Sequence, residues 1–264
     1  MAATPAPQPP IPGDIIVDDR GRRRGLFAGM APGRVLDIPA GGGLQTGALR
    51  NLGYHVVPVD LFPPGKRNGR DWWTVADANL QFPYRDASFD YVLSREGIEH
   101  LANQLGFIGE CARVLRPGGK FVMTTPNMMH LSARASMFLT GQRNLRRGLV
   151  NEVQTFRGRK GPRVYHGHAF LLDYFRARYM LRLSGFDRLE VYSDRKSPTS
   201  VAMAPLAGIM WAAAKFSLAV SARNARRQGY LQAPPEVTGE ILRHVFSPAL
   251  LFGKRMIIVA ERSA

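Results

Sequence analysis

The chain has 264 residues, 45% of them hydrophobic, enough for one large α/β domain with its own core and too many for a disordered or collagen-like chain. Its single cysteine, Cys111, excludes an internal disulfide framework and a cysteine-cluster zinc or iron–sulfur site, and fits a reducing compartment. Lys+Arg 36 against Asp+Glu 20 leaves a net charge of +16, which favours an acidic partner: nucleic acid, anionic lipid or a phosphorylated substrate.

The opening MAATPAPQPPIPG has neither the basic nor the apolar region of a secretory signal, which predicts a cytoplasmic location. Its Pro/Ala composition predicts a disordered lead-in over residues 1–14, with one ordered domain over 15–264. Residues 18–30 predict a short helix carrying Arg20, Arg22, Arg23 and Arg24. The stretch RVLDIPAGGGLQTGALRNLGYHVVPVD then reads as strand 34–38, a glycine-rich turn, helix 44–52 stopped by Gly53, and strand 56–59 ending on Asp60. Pro58 weakens that second strand, since it has no N–H for a ladder.

Strands follow at 71–75 and 89–93. Ile98, Leu101, Leu105, Ile108, Ala112 and Leu115 step by three or four and predict one helix over 98–115. RPGG ends it, and a fifth strand covers 120–124. Alternation of strand and helix predicts a doubly wound, mostly parallel sheet. Beyond it come helix 128–139, a basic lid-like segment over 141–165, helix 170–183, strand 189–192, a helical insert over 196–253, and a last strand at 254–260.

In such sheets the ligand sits beyond the carboxyl ends of the strands. Those ends here carry Asp37 with the glycine turn, Asp60, Asp77 and Ser94. Glycines let a ligand approach the backbone, and an acid after the second strand can accept both ribose hydroxyls. The turn Gly41-Gly42-Gly43-Leu44-Gln45-Thr46-Gly47 does not fit the dinucleotide fingerprint, and no P-loop occurs. The set therefore suits a nucleoside without phosphates.

These motifs resemble those of class I S-adenosylmethionine-dependent methyltransferases, with a likeness to the ubiquinone and menaquinone methyltransferases. VLDIPAGGG is similar to the family's first motif, with Pro39 in place of its first glycine. VVPVD, VADANLQFPYRDASFDYVLSREGIEHL and LRPGGKFVMTTPN resemble the later ones in order. The resemblance implies a seven-stranded Rossmann-like sheet and S-adenosyl-L-methionine as cofactor. It implies contacts from Asp37, Ala40, Gly41, Gly43, Asp60, Leu61, Asp77, Ala78, Ser94 and Arg95. The implied reaction is methyl transfer to a small-molecule or membrane-associated acceptor, lipid- or glycan-linked.

An oxygen acceptor calls for a general base. His100, His130, His166 and His168 are the candidates, although each also has a structural or exposed-loop reading. No metal is expected, because no carboxylate stands beside His166 and His168 in sequence. The signatures of amino and cytosine-C5 nucleic-acid methylation are missing, and Cys111 reads as a buried filler. RNA methylation, and a basic adaptor on a non-catalytic methyltransferase fold, stay as alternatives.

The insert holds VAMAPLAGIMWAAAKFSLAV, followed by Arg223, Arg226 and Arg227. It reads as a helix buried against the domain, a helix lying at an anionic membrane surface, or, least well, a membrane span.

Overall fold

A computed structural model describes residues 25–62, 73–143, 155–157, 163–165, 168–231 and 233–264. Its centre is a seven-stranded sheet in the order β3-β2-β1-β4-β5-β9-β8. The strands are β1 (Arg34–Asp37), β2 (His55–Asp60), β3 (Thr74–Val75), β4 (Phe89–Arg95), β5 (Leu115–Pro126), β8 (Phe186–Tyr192) and β9 (Arg255–Arg262). The first five run parallel, and β9 is antiparallel to both β5 and β8.

The inner strands are apolar on both faces because helices cover both. In β5, Phe121 and Met123 enter one core while Val122 enters the other; in β9, Met256, Ile258 and Ala260 split the same way from Ile257 and Val259. The larger core includes Phe107, Leu181 and Phe186; the smaller is built on Phe27, Leu49 and Tyr54. Pro58 is tolerated in β2 because of strand parity. Asp60 O accepts from Ala76 N on the β3 side, while Val59 O accepts from Ala40 N on the β1 side. The missing donor at Pro58 therefore faces β3, whose pairing starts only at Val59.

Three helices begin later than their apolar periodicity suggests, and side-chain caps set each start. The expected helix over 98–115 is two elements: a 3-10 turn at Ile98–His100, then α2 (Gln104–Val114). Asn103 accepts from Gly106 N at 3.0 Å and restarts the helix on a new phase. Its buried face is Phe107, Ile108, Cys111, Ala112 and Val114, and Leu105 is exposed. Chain from Leu115 onward is already β5, RPGG included. Likewise His130 caps α3 (Leu131–Thr140) and Asp173 caps α4 (Tyr174–Leu183). α1 is Leu44–Asn51.

The lead-in over 1–14 and Arg20, Arg22, Arg23 and Arg24 lie outside the described residues; Leu26–Gly29 is a single 3-10 turn. Within the lid-like basic segment, β6 (Thr155–Arg157) and β7 (Arg163–Tyr165) pair as an antiparallel ladder.

Between β8 and β9 the insert forms α5 (Pro198–Ala202), α6 (Leu206–Arg227), α7 (Pro235–Val245) and α8 (Pro248–Phe252). Arg178 on α4 meets Glu240 on α7 at 2.7 Å, and Tyr174 OH meets His244 Nδ1 at 2.7 Å. α6 differs: none of its residues is buried, which removes the core reading of its apolar run. Among the described residues no helix is long and apolar enough to cross a membrane.

Asn127, fully buried at the end of β5, donates to Leu250 O at 2.9 Å and Gly253 O at 2.7 Å and accepts from Met129 N at 2.7 Å. Asn127→Ala strands these buried groups at ~1–3 kcal/mol each. Denaturant unfolding is expected to show a loss of at least about 2 kcal/mol, whereas an unchanged midpoint would mean that the insert is anchored elsewhere.

Candidate active site

The site grows from the turn that follows β1. Ile38 N donates to Leu93 O, Ala40 N to Val59 O, and Gly41 N to Asp60 Oδ2, each at 2.8 Å. These bonds pull the turn down between β4 and β2. Gly41 and Gly43 have φ of 54° and 77°, a region in which side chains are strained. A Cβ on Gly41 or Gly42 would meet nothing within 4 Å, so the upper face of the turn is open. On Gly43 it would lie 2.9 Å from the Trp73 indole, which closes one flank.

Asp37 lies beneath the turn, not in the open. It is buried, accepts from Thr46 Oγ1 at 2.6 Å, and burial pushes its pKa up to about 7 against that hydrogen bond. Asp60 is partly exposed at the end of β2. One oxygen holds Gly41 N; the other accepts from Phe62 N at 2.9 Å, next to exposed Leu61. Each keeps a further lone pair for a hydroxyl donor. Asp77 and Ala78 follow β3, and Asp77 turns its chain through Asn79 N at 2.8 Å.

Ser94 and Arg95 end β4. Ser94 is buried, and its Oγ has no hydrogen-bond partner among the described residues. An orphaned buried hydroxyl beside an open glycine turn calls for a polar ligand. Next comes Gly97, where a Cβ would stand 2.3 Å from Pro39 Cδ. Proline in place of the motif's first glycine is thus matched by a glycine across the crevice. The open shelf, the Asp60 carboxylate and the Ser94 hydroxyl together fit a nucleoside with a polar tail.

Beside this shelf the turn after Arg95 builds a second cluster. Glu96 holds a φ of 50°, rare outside glycine, and its N–H is fixed on Thr124 O at 3.0 Å. Glu99 is fully buried: Oε2 accepts from Thr125 Oγ1 at 3.1 Å, while Oε1 has no hydrogen-bond partner among the described residues. Burial first, then the Glu96 charge, pushes its pKa up to about 7. His168 arrives from 69 residues away. Phe170 N donates to Glu99 O at 3.2 Å, and Gln104 Nε2 bridges Ile98 O and Phe170 O. The rings of His100 and His168 stand edge to face at 5.0 Å. Donor atoms of Glu99, His100 and His168 lie within 4.8 Å of one another, a set able to pass a proton or hold a cation.

The other candidate histidines fall elsewhere. His130 Nδ1 caps α3 through Ala133 N at 3.1 Å and sits within 3.0 Å of the Ser132 and Ser200 hydroxyls. Burial and the nearby Arg143 charge press its pKa down to about 4. His166 lies outside the described residues. Glu99 is the residue that sequence reasoning missed: the carboxylate partner sought beside His168 in sequence comes from the other side of the fold. Its signal was a second acid in REGIEH, on a segment too apolar for a solvated charge.

Residues 36–123 match the family model described as "Methyltransferase domain". Over 109 residues the chain is 34% identical to a ubiquinone biosynthesis O-methyltransferase of Xanthomonas oryzae pv. oryzae, covering 37% of this chain and 45% of that protein. The counterpart from Maricaulis maris is 37% identical over 106 residues, covering 36% and 41%. The chain thus spans less than half the length of these relatives. A putative methyltransferase from Bacillus halodurans superposes with a TM-score of 0.51 at 17% identity, covering 90% of this chain and 96% of that one. A methyltransferase domain thus occupies residues 36–123, and the fold built around it is that of the Bacillus halodurans protein.

The two buried carboxyls have a measurable cost. A carboxyl with a raised folded-state pKa holds its proton more tightly folded than unfolded, so the fold loses stability as pH rises from about 4 to about 7. Melting temperature of the ligand-free protein is expected to fall over that window. Asp37→Asn and Glu99→Gln should each flatten the fall; an unchanged slope in both would mean that neither carboxyl is desolvated.

Proposed function

We propose that this methyltransferase moves a methyl group from S-adenosyl-L-methionine to a hydroxyl oxygen of a small-molecule acceptor carried on a lipid or a lipid-linked glycan. When bound, the cofactor supplies an electrophilic methyl group on a sulfonium. Asp60 would hold its ribose, the Gly41–Gly43 backbone its amino-acid part, Asp77 and Ala78 its adenine edge, and Ser94 and Arg95 the methionine end. The contribution of these residues is alignment, because in-line displacement depends on donor and acceptor being held together.

The observation that carries the oxygen acceptor is Glu99, with one oxygen that has no hydrogen-bond partner among the described residues and a pKa near 7, beside His100 and His168 at the edge of the cofactor shelf. A hydroxyl is a poor nucleophile until its proton leaves, and a base titrating near neutrality is suited to take it. Glu99 accepts that proton at Oε1, and the imidazoles offer it a way toward solvent. The similar proteins from Xanthomonas oryzae and Maricaulis maris, both named ubiquinone biosynthesis O-methyltransferases, agree with oxygen as the acceptor atom.

Incubating the protein with labelled cofactor and separate lipid, RNA and soluble fractions tests the reading. Label in the lipid fraction supports it. Label in RNA would move the assignment to RNA methylation, and cofactor binding without any product would favour the non-catalytic adaptor. On the lipid acceptor, kcat is expected to rise as pH increases through about 7, as Glu99 ionises. Glu99→Gln should remove that limb and lower kcat by roughly 10²–10⁴-fold while leaving S-adenosylhomocysteine affinity intact. An unaltered pH profile would exclude Glu99 as the base. Asp60→Ala should do the reverse, weakening S-adenosylhomocysteine binding by about 2–4 kcal/mol in calorimetry.

A further inference from the structure

We propose that α6 and the tip of α3 form one docking face for an anionic lipid surface, with α6 lying along the headgroups and not across the bilayer. α6 is 22 residues long, roughly 33 Å, without a single buried residue. Ile209, Ala213, Phe216 and Val220, at i, i+4, i+7 and i+11, make a continuous apolar stripe. Ile209 is 70% exposed and Phe216 72%. Arg223 and Arg227 continue the same stripe by helical phase, so it passes from apolar to cationic within one helix.

The tip of α3 adds to this face. Phe138 is 89% exposed and Leu139 76%. α3 is tied to α5 through Ser200 Oγ, which accepts from Ser132 N at 3.1 Å, and α6 starts just beyond α5. α3 also follows directly on β5, so these side chains belong to the end of the sheet that carries the cofactor shelf.

Charge selects the occupant. Between Asp194 and Glu236 the chain has no acidic residue and six basic ones: Arg195, Lys196, Lys215, Arg223, Arg226 and Arg227. A second copy laid on the stripe would bring cations against cations with no carboxylate on either helix to pair them. A nucleic acid would leave Ile209, Phe216, Phe138 and Leu139 without apolar partners. An anionic bilayer satisfies both halves: apolar side chains enter the acyl boundary, and arginines reach phosphate.

The inference extends the reading of a lipid-held acceptor, yet it is tested without turnover. Full-length protein is floated with vesicles of phosphatidylcholine alone or mixed with phosphatidylglycerol, at low and high salt. Expected are flotation with the anionic vesicles and its weakening in high salt. Arg223→Gln and Arg227→Gln should each weaken binding about fivefold, and the double change Ile209→Ser with Phe216→Ser should abolish it. Each variant must keep S-adenosylhomocysteine affinity, since none of these residues touches the shelf. No flotation, equal flotation with neutral vesicles, a stripe-dependent dimer in solution, or RNA retention unaffected by the serine changes would each overturn the proposal. If flotation succeeds while no lipid fraction is methylated, the docking face stands and the acceptor assignment falls.

Discussion

The contact between Pro39 and Gly97 is the constraint on which the site depends. One belongs to the turn after β1 and the other to the turn after β4, and any side chain at Gly97 would overlap the proline ring. Pressed together, the two turns fix the glycine shelf on one side and the Glu96–His100 segment on the other. The hydrogen bonds of Ile38 N on Leu93 O and Glu96 N on Thr124 O then lock each turn to its neighbouring strand. The shelf and the Glu99–His100 segment are therefore registered to one another through backbone. That matters for a reaction in which small misplacement costs large factors in rate.

Burial at the same edge does two different things to two carboxyls. Asp37 and Glu99 both have pKa values near 7 because both have lost water. Asp37 is sealed under the turn on Thr46 Oγ1, so its role is to shape the turn from below. Glu99 holds Thr125 with one oxygen, and a carboxylate oxygen lies within 4.8 Å of a ring nitrogen of His100 and of His168. Equal desolvation leaves Asp37 held on Thr46 and Glu99 with one oxygen that has no hydrogen-bond partner among the described residues.

Much of the sheet was legible in sequence because its signals are local. Asp37 with its glycines, Asp60, and the split of apolar residues in β5 and β9 each announce an element within a few residues. What escaped was set at long range or by capping. The apolar steps from Ile98 to Leu115 suit one helix well, and nothing in that pattern reveals that Asn103 restarts it. Glu99 and His168 are 69 residues apart and meet only because Gln104 grips both flanking backbones. The apolar composition of α6 was visible, but composition cannot say which side of a fold a helix faces; its exposure is a property of the assembled domain.

The position of β9 has a consequence for how the chain reaches this state. β9 is the latest strand in the sequence, yet it lies between β5 and β8 and makes the full-length ladders on both sides. Until it inserts, β5 presents an unpaired edge from Phe121 to Thr125, and β8 has no ladder partner. The helices of the insert must be made first, because they intervene in the chain. During synthesis the protein therefore carries an open β5 edge, an unpaired β8 and an uncovered α6 at once, a combination prone to sticking. Closure of the sheet is a late, long-range event, and the apolar stripe on α6 outlasts it into the finished fold.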